Sequence, residues 1–397
     1  MRVPTFHTTK ESERMSLMTK RALLGTAAAA AIATLAGCGK KEEPAPQAAA
    51  PAPAAAAASA PAEPLKVAWV YIGPVGDAGW TYAHDQGRKA VEAEFGDKVK
   101  TTFVEKVPES ADAERVIRDL AAQGNKLIFT TSFGYMEPTI KVAQEFPDVK
   151  FMHATGYKLA PNVGVYDASF YQDAYISGMI AGAMTKTNTL GFVGSFPIPE
   201  VLRNINAFAL GAQAINPKAK VKVVWVSTWF DPPKEAEAAQ SLINAGADVL
   251  LQNTDSSAVL QTAEKNNKYA FGWDSDMSAV APKAHLASNM IYWGPYYKKA
   301  VKDVLDGTWK SERSVWGYKE GTNAVIKIAD SVPEDVKKKI EEVQEGLKAG
   351  TFDPFKGPIV DTEGKERLPK DQLPDQAWKD QVDFYVKGVE GKVPSGK

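Results

Sequence analysis

The chain has 397 residues, long enough for two cores, and 47 Lys and Arg against 48 Asp and Glu give a formal net charge of -1. That balance excludes a nucleic-acid surface and a polybasic membrane patch. One cysteine excludes an internal disulfide, and four scattered histidines (His7, His84, His153, His285) form no zinc spacing, so neither metal nor cofactor is expected.

Lys20-Arg21 precede an apolar segment over 22–36 that ends Leu35-Ala36-Gly37-Cys38-Gly39. A basic start, a short apolar stretch and small residues before a cysteine describe a secretory signal. The segment falls short of the roughly 20 apolar residues that span a bilayer. The Leu-Ala-Gly-Cys ending resembles the bacterial lipobox, which implies cleavage before Cys38 and lipid attachment to it, with residues 1–38 as the signal. Residues 39–64 are almost only Ala, Pro, Lys and Glu, too poor in apolar side chains to offset ordering entropy, and read as a disordered tether.

The globular part opens with Lys66-Val67-Ala68-Trp69-Val70-Tyr71-Ile72, an apolar run typical of a buried strand. Gly73-Pro74-Val75-Gly76-Asp77-Ala78-Gly79-Trp80 ends it, and a helical pattern follows to Phe95. Further alternation runs through Leu127-Ile128-Phe129-Thr130-Thr131, a helix from Met136, Val149 to His153, and Val163 to Tyr166. A long helix over 173–185 carries Ser177, Gly178, Ala181 and Gly182 on one face, which predicts close helix packing. A second array begins at Leu190-Gly191-Phe192-Val193-Gly194 and continues to strands at Tyr269-Ala270-Phe271-Gly272 and His285-Leu286-Ala287-Ser288.

Strands alternating with helices in this way indicate an α/β chain in which each lobe is a doubly wound parallel sheet. The expected division is lobe 1 over 65–187 plus a return segment 289–310, and lobe 2 over 188–288 plus 311–350. A C-terminal extension over 351–397 is polar with turns, but Trp378, Phe384 and Tyr385 predict that part of it packs down. More than one crossing between lobes gives a hinge and a cleft.

In such sheets ligands sit beyond the carboxyl ends of the strands. That edge collects Asp77, Trp80, Thr81 and Tyr82, then Phe133 and Tyr135, then Asp167. The second array adds Trp229 and Phe230, Asn253 and Asp255, and Trp273, Asp274 and Asp276. Flat aromatic faces with a few carboxylates and amides suit a planar, hydrogen-bonding ligand, since stacking contributes roughly 1–3 kcal/mol per base. Trp69 and Trp225 lie inside strands and read as core. Asp77 is open to two readings, ligand contact or turn former. No catalytic residues are expected: there is no Gly-x-Ser-x-Gly elbow and no phosphate-cradling Gly-x-x-x-x-Gly-Lys, and Cys38 is taken by lipid.

Several motifs in shared order resemble the basic membrane protein (purine nucleoside receptor-like) family of substrate-binding lipoproteins of bacterial ABC importers. They are Gly-x-x-x-Asp77-x-Gly-Trp80, Thr131-Ser-Phe-Gly-Tyr135, Glu145-Phe-Pro-Asp-Val-Lys-Phe151, Tyr175-Ile-Ser-Gly-Met-Ile-Ala-Gly182, Leu190-Gly-Phe-Val-Gly194 and Gly272-Trp-Asp-Ser-Asp276. The resemblance implies a two-lobed periplasmic binding protein of type I, sugar-binding-protein-like, with its ligand in the interlobe cleft. It implies Trp80 and Phe133 stacking a base with Asp167 near it, Trp229 as the second-lobe aromatic, and Asp274 as the ribose-binding carboxylate. Where nucleoside receptors of the family usually have Phe-Asn this chain has Trp80-Thr81, and Ile291 and Tyr292 stand near an expected lysine. Both departures favour a base such as adenine over a nucleoside. The implied setting is a monomer in the periplasm, held to the membrane by lipid alone and delivering its ligand to a permease with a separate ATPase. Alternatives are another planar, amide or sugar ligand, or a sensory lipoprotein without transport.

Overall fold

The computed structural model describes residues 63–394; Cys38 with the expected signal, the tether up to residue 62 and residues 395–397 lie outside the described residues. Strand β1 (Leu65–Val70) leads to α1 (Trp80–Phe95), β2 (Val99–Val104), α2 (Ala111–Ala122) and β3 (Leu127–Thr130). Then come α3 (Met136–Glu145), β4 (Lys150–Ala154) and β5 (Val163–Ala168). These strands pair in parallel in the order β2-β1-β3-β4-β5.

Alternation along β1 explains why it is apolar from Val67 to Val70. Val67 and Trp69 join one core with Phe129, whereas Ala68 and Val70 join another with Ile128, because successive side chains leave opposite faces. Helices cover both faces, so the polar residues buried on the central strands pair with each other, as Thr130 Oγ1 does with His153 Nδ1 at 3.0 Å.

The second lobe repeats the plan. Helix α4 (Phe170–Met184) precedes β6 (Thr189–Gly194), α5 (Pro199–Ile215), β7 (Lys220–Trp225), α6 (Pro232–Asn244) and β8 (Val249–Asn253). Then follow α7 (Ala258–Lys265), β9 (Tyr269–Gly272) and β10 (His285–Ile291). The parallel order is β7-β6-β8-β9-β10. The small residues of α4 let it lie directly on α5. A Cβ at Gly178 would meet the Phe208 carbonyl oxygen at 2.2 Å, and one at Gly182 the Ala212 oxygen at 2.4 Å.

After β10 the chain returns to the first lobe as α8 (Trp293–Leu305), whose Trp293 and Tyr297 press on Gly87 of α1. Strand β11 (Arg313–Trp316) then adds to β5 in parallel, pairing Val315 with Asp167. This departs from the division expected from sequence, which gave 311–350 whole to the second lobe. The helix α8 delivers the chain to the free edge of β5 before it crosses again. Strand β12 (Asn323–Ile326) lies antiparallel to β10 in the second sheet, and α9 (Glu334–Ala349) follows. Helix α4 likewise packs in the second lobe, against α5, rather than with residues 65–168.

The chain beyond 350 forms β13 (Ile359–Val360), β14 (Glu366–Leu368), α10 (Gln376–Asp380) and β15 (Val389–Glu390). Strand β15 extends the second sheet beside β7. No helix among the described residues is long and apolar enough to cross a membrane.

Both sheets reverse their strand order at one place, between β1 and β3 and between β6 and β8. Ligands of open α/β sheets bind at such switch points, outside the carboxyl ends of the strands.

Candidate functional site

A cavity lies where the two switch points face each other. The first lobe contributes Ile72 and Trp80 from beyond β1, Ser132 and Phe133 from beyond β3, and Thr155 from beyond β4. The second lobe contributes Glu200 at the start of α5, Trp229 from beyond β7, and Asn253 and Asp255 at the end of β8.

Trp80 is fixed from behind. Its Nε1 donates to the Thr131 carbonyl oxygen at 2.6 Å, and its ring meets the edges of His84 and Trp293 at 4.3 and 5.8 Å. His84 in turn stacks on Trp293 at 4.7 Å and hydrogen-bonds Tyr297. An aromatic column running into the first core therefore holds this wall rigid. Trp229 is held across the cleft: its Nε1 donates to Glu109 Oε2 at 3.2 Å, and Glu109 Oε1 accepts from Ser132 Oγ at 2.5 Å and Gly134 N at 2.6 Å.

The lobes are in close contact around the cavity. A Cβ on Gly79 would lie 2.1 Å from the Asp255 carbonyl oxygen. Ser275 Oγ donates to the Ala78 carbonyl oxygen. Only glycine at position 79 lets the start of α1 approach the end of β8 this closely.

Of the residues expected from sequence, Trp80, Phe133, Trp229 and Asn253 stand on the cavity wall. The others lie off it. Asp77 accepts backbone hydrogen bonds from Gly79 at 2.9 Å, Thr81 at 3.0 Å and Tyr82 at 2.9 Å, and so holds the first turn of α1. Of the two readings open for Asp77, the turn former is the one these bonds support. Thr81 Oγ1 accepts from Gly73 N at 3.1 Å and closes the same turn. Tyr135 is buried in the second core of the first lobe, its hydroxyl donating to the Val107 carbonyl. Asp276 is exposed and accepts from Ser278 N at 2.9 Å.

Asp167 and Asp274 occupy intermediate positions. Asp167 lies 3.9 Å from Arg203 and lines a neighbouring cavity that shares Phe133, Thr155 and Glu200 with the first. Asp274 is buried with both carboxyl oxygens unpartnered among the described residues, and its backbone is left-handed with φ 64°. Burial, aided by Asp77 and Glu200, pushes its carboxyl well up.

Sequence reasoning passed over Glu200, and it noted Asp255 at a strand end without choosing it. Asp255 is buried, its Oδ2 has no partner among the described residues, and burial with the nearby Asp77 and Asp274 charges raises its carboxyl far above the usual range. Burial and Asp167 raise Glu200 against the pull of Arg203. Burial thus favours the neutral form of both carboxyls, in which one group is donor and acceptor at once. Glu200 follows Pro199 in the first turn of α5, where an acid is ordinary because of the helix dipole. Its position in the sequence carried no mark of a site. Among the described residues no cluster of His, Cys, Asp and Glu is placed to hold a metal ion.

A family model described as ABC transporter substrate-binding protein PnrA-like matches residues 65–350. The chain belongs to this family. Its members are solute-binding proteins of ABC transporters, not enzymes. A purine-binding protein of Brucella abortus (strain 2308) is 52% identical over 334 residues, covering 84% of this chain and 95% of that protein. A Haloferax volcanii protein named for glucose binding in an ABC transporter is 37% identical over 333 residues, covering 84% of this chain and 82% of its own. The solved ABC transporter solute-binding protein from Conexibacter woesei DSM 14684 is 25% identical with a TM-score of 0.60, over 73% of this chain and 98% of that one. The two lobes and their sheets are thus those of a type I periplasmic solute-binding protein.

Proposed function

We propose that this solute-binding protein captures a purine base, adenine in preference to a nucleoside, closes on it and presents it to a permease outside the cytoplasm. In this reading the protein is a monomer held to the membrane through lipid on Cys38. The observation that carries the choice of ligand is Asp255, a buried carboxyl with Oδ2 unpartnered among the described residues, on a cavity walled by Trp80, Phe133 and Trp229, where burial favours its neutral form.

A purine supplies flat faces to the three aromatics, each stacked base contributing roughly 1–3 kcal/mol. Its edge supplies the polar match. Adenine carries an acceptor nitrogen beside an amino donor, and a neutral carboxyl answers both at once. Hydrogen bonds of this kind are the ones that discriminate, because a ligand lacking them leaves the carboxyl buried and unpaired. The purine-binding relative at 52% identity supports the same class.

Ligand binding draws the lobes together only if both touch the ligand, since differential affinity alone moves the equilibrium. Trp80 and Phe133 on one side and Trp229, Asn253 and Asp255 on the other meet that condition. The relative named for glucose binding gives a second reading, a sugar stacked on the same aromatics. Calorimetric titration after unfolding and refolding, with adenine, adenosine, guanine and glucose, separates them. The expected result is adenine bound at micromolar concentration or tighter, adenosine more weakly and glucose not at all; glucose binding with silence toward purines would replace this reading by the second.

A further inference from the structure

The family model ends at residue 350, and the described chain continues to 394. This added segment is fastened to the second lobe by backbone. Strand β15 pairs with β7, Asn206 of α5 donates to the Phe384 carbonyl at 2.8 Å, and Asn206 Oδ1 accepts from Val386 N at 2.9 Å. Trp225 Nε1, half-buried on β7, donates to the Tyr385 hydroxyl at 3.0 Å. Arg203 of α5 donates to the Lys379 carbonyl at 2.8 Å.

Its tie to the first lobe is of another kind. Asp380, at the end of α10, receives both terminal nitrogens of Arg313, which begins β11 on the edge of the first sheet; Nη2 to Oδ1 is 2.9 Å. Arg203 stands 3.7 Å from the same carboxylate on the second-lobe side. Burial favours the neutral acid here, yet the Arg313 guanidinium holds Asp380 below the usual carboxylate range, so it stays charged. Asp380, Arg203 and Arg313 line the second cavity, which shares Phe133, Thr155 and Glu200 with the ligand cavity. The forked pair therefore sits at the edge of the ligand chamber, across the boundary that closure must seal.

We propose that residues 351–394 are a latch carried on the second lobe, and that Asp380 is a positioning residue that catches Arg313 when the cleft closes. The bonds from Asn206, Trp225 and Arg203 stay within one lobe and survive opening. The Arg313–Asp380 fork spans both and breaks. Side-chain exposures of 24% and 28% put the pair at the cavity rim, where water can resolvate it on opening. Arg203 keeps a countercharge on Asp380 in the open state. Such a pair slows release more than it affects entry, because a contact made only in the closed form must break before the cleft opens, and differences among variants of one contact surface lie mostly in the dissociation rate.

The latch rests on the reading of a closing cleft but not on the identity of the ligand, and its test keeps the two apart. Spin labels at Gln144→Cys and Glu237→Cys, one on each lobe, in full-length Cys38→Ser protein, report lobe separation by pulsed dipolar spectroscopy. Without ligand, Asp380→Ala and Arg313→Ala should each move population to longer distances, and the double variant should be no more open than the more open single one. With adenine, each should raise the dissociation rate roughly 10-fold while the association rate changes little. Arg313→Lys, which keeps charge but loses the fork, should fall between. Unchanged ligand-free distances in folded Asp380→Ala protein would overturn the latch, as would additive effects in the double variant. Shifted distances with no adenine binding in any variant would uphold the latch and sink the purine reading instead.

Discussion

The loop after β1 and the loop after β8 both end a strand at a switch point, and each carries a buried aspartate, yet they do opposite things. Asp77 accepts from three backbone N–H groups at the start of α1 and is consumed in building the turn. Asp255 Oδ2 accepts nothing of that kind: it is buried and unpartnered among the described residues, beside the cavity between the two switch points. A helix N-terminus offers free N–H groups, and a carboxylate next to it is claimed by them. The difference shows that position at a strand end does not by itself leave an acid free to meet a ligand; what counts is whether the backbone has already satisfied it.

The two loops meet at Gly79 and the Asp255 carbonyl, so the largest effect should come from separating them. Gly79→Val should hold the cleft open and weaken adenine binding by roughly 100-fold or more, because affinity falls with the fraction of closed protein. Its thermal unfolding without ligand should stay close to that of the native chain. Calorimetry and a melting curve on the same sample check both halves.

Next in size is the exchange of roles between the acids. Asp255→Asn should weaken adenine binding roughly 10- to 100-fold, the loss expected for a hydrogen bond involving a buried carboxyl, and leave stability unchanged or higher. Asp77→Ala should do the reverse, lowering stability by about 1–2 kcal/mol through the lost cap while moving affinity much less. Equal effects of the two substitutions on affinity would erase the distinction between the loops.

The smallest effect is in pH. Burial raises Asp77 from 3.8 to about 6 despite its backbone bonds. Its folded value exceeds the unfolded one, so its contribution to stability is complete below 3.8 and is lost as pH rises through about 6. The stability of the native chain relative to Asp77→Asn should therefore fall between those limits and level off above them, as urea unfolding across that range would register.

The lobes were legible because periodicity is local. Unbroken apolar runs such as Val67 to Val70 in β1 and Val249 to Leu251 in β8 are buried on both sheet faces, and the Gly178 and Gly182 face of α4 could only mean close packing. Trp80, Phe133 and Trp229 were legible as well, since a large aromatic just past a strand has no place in the strand's own core. What was hidden depends on long-range pairing. Nothing near Asp77 or Asp255 in sequence tells where their hydrogen bonds go, and Glu200 wears the disguise of a first-turn acid. The four residues of β11 carry no mark of the sheet they join, because that is decided by where α8 delivers them.

A crystal structure of the adenine complex tests the central claim most directly. The account predicts the base lying between Trp80 and Phe133 with Asp255 Oδ2 at hydrogen-bond distance from its edge, while Asp77 keeps its three backbone donors. A base bound elsewhere, or one that leaves Asp255 unpartnered within the closed cleft, would contradict it.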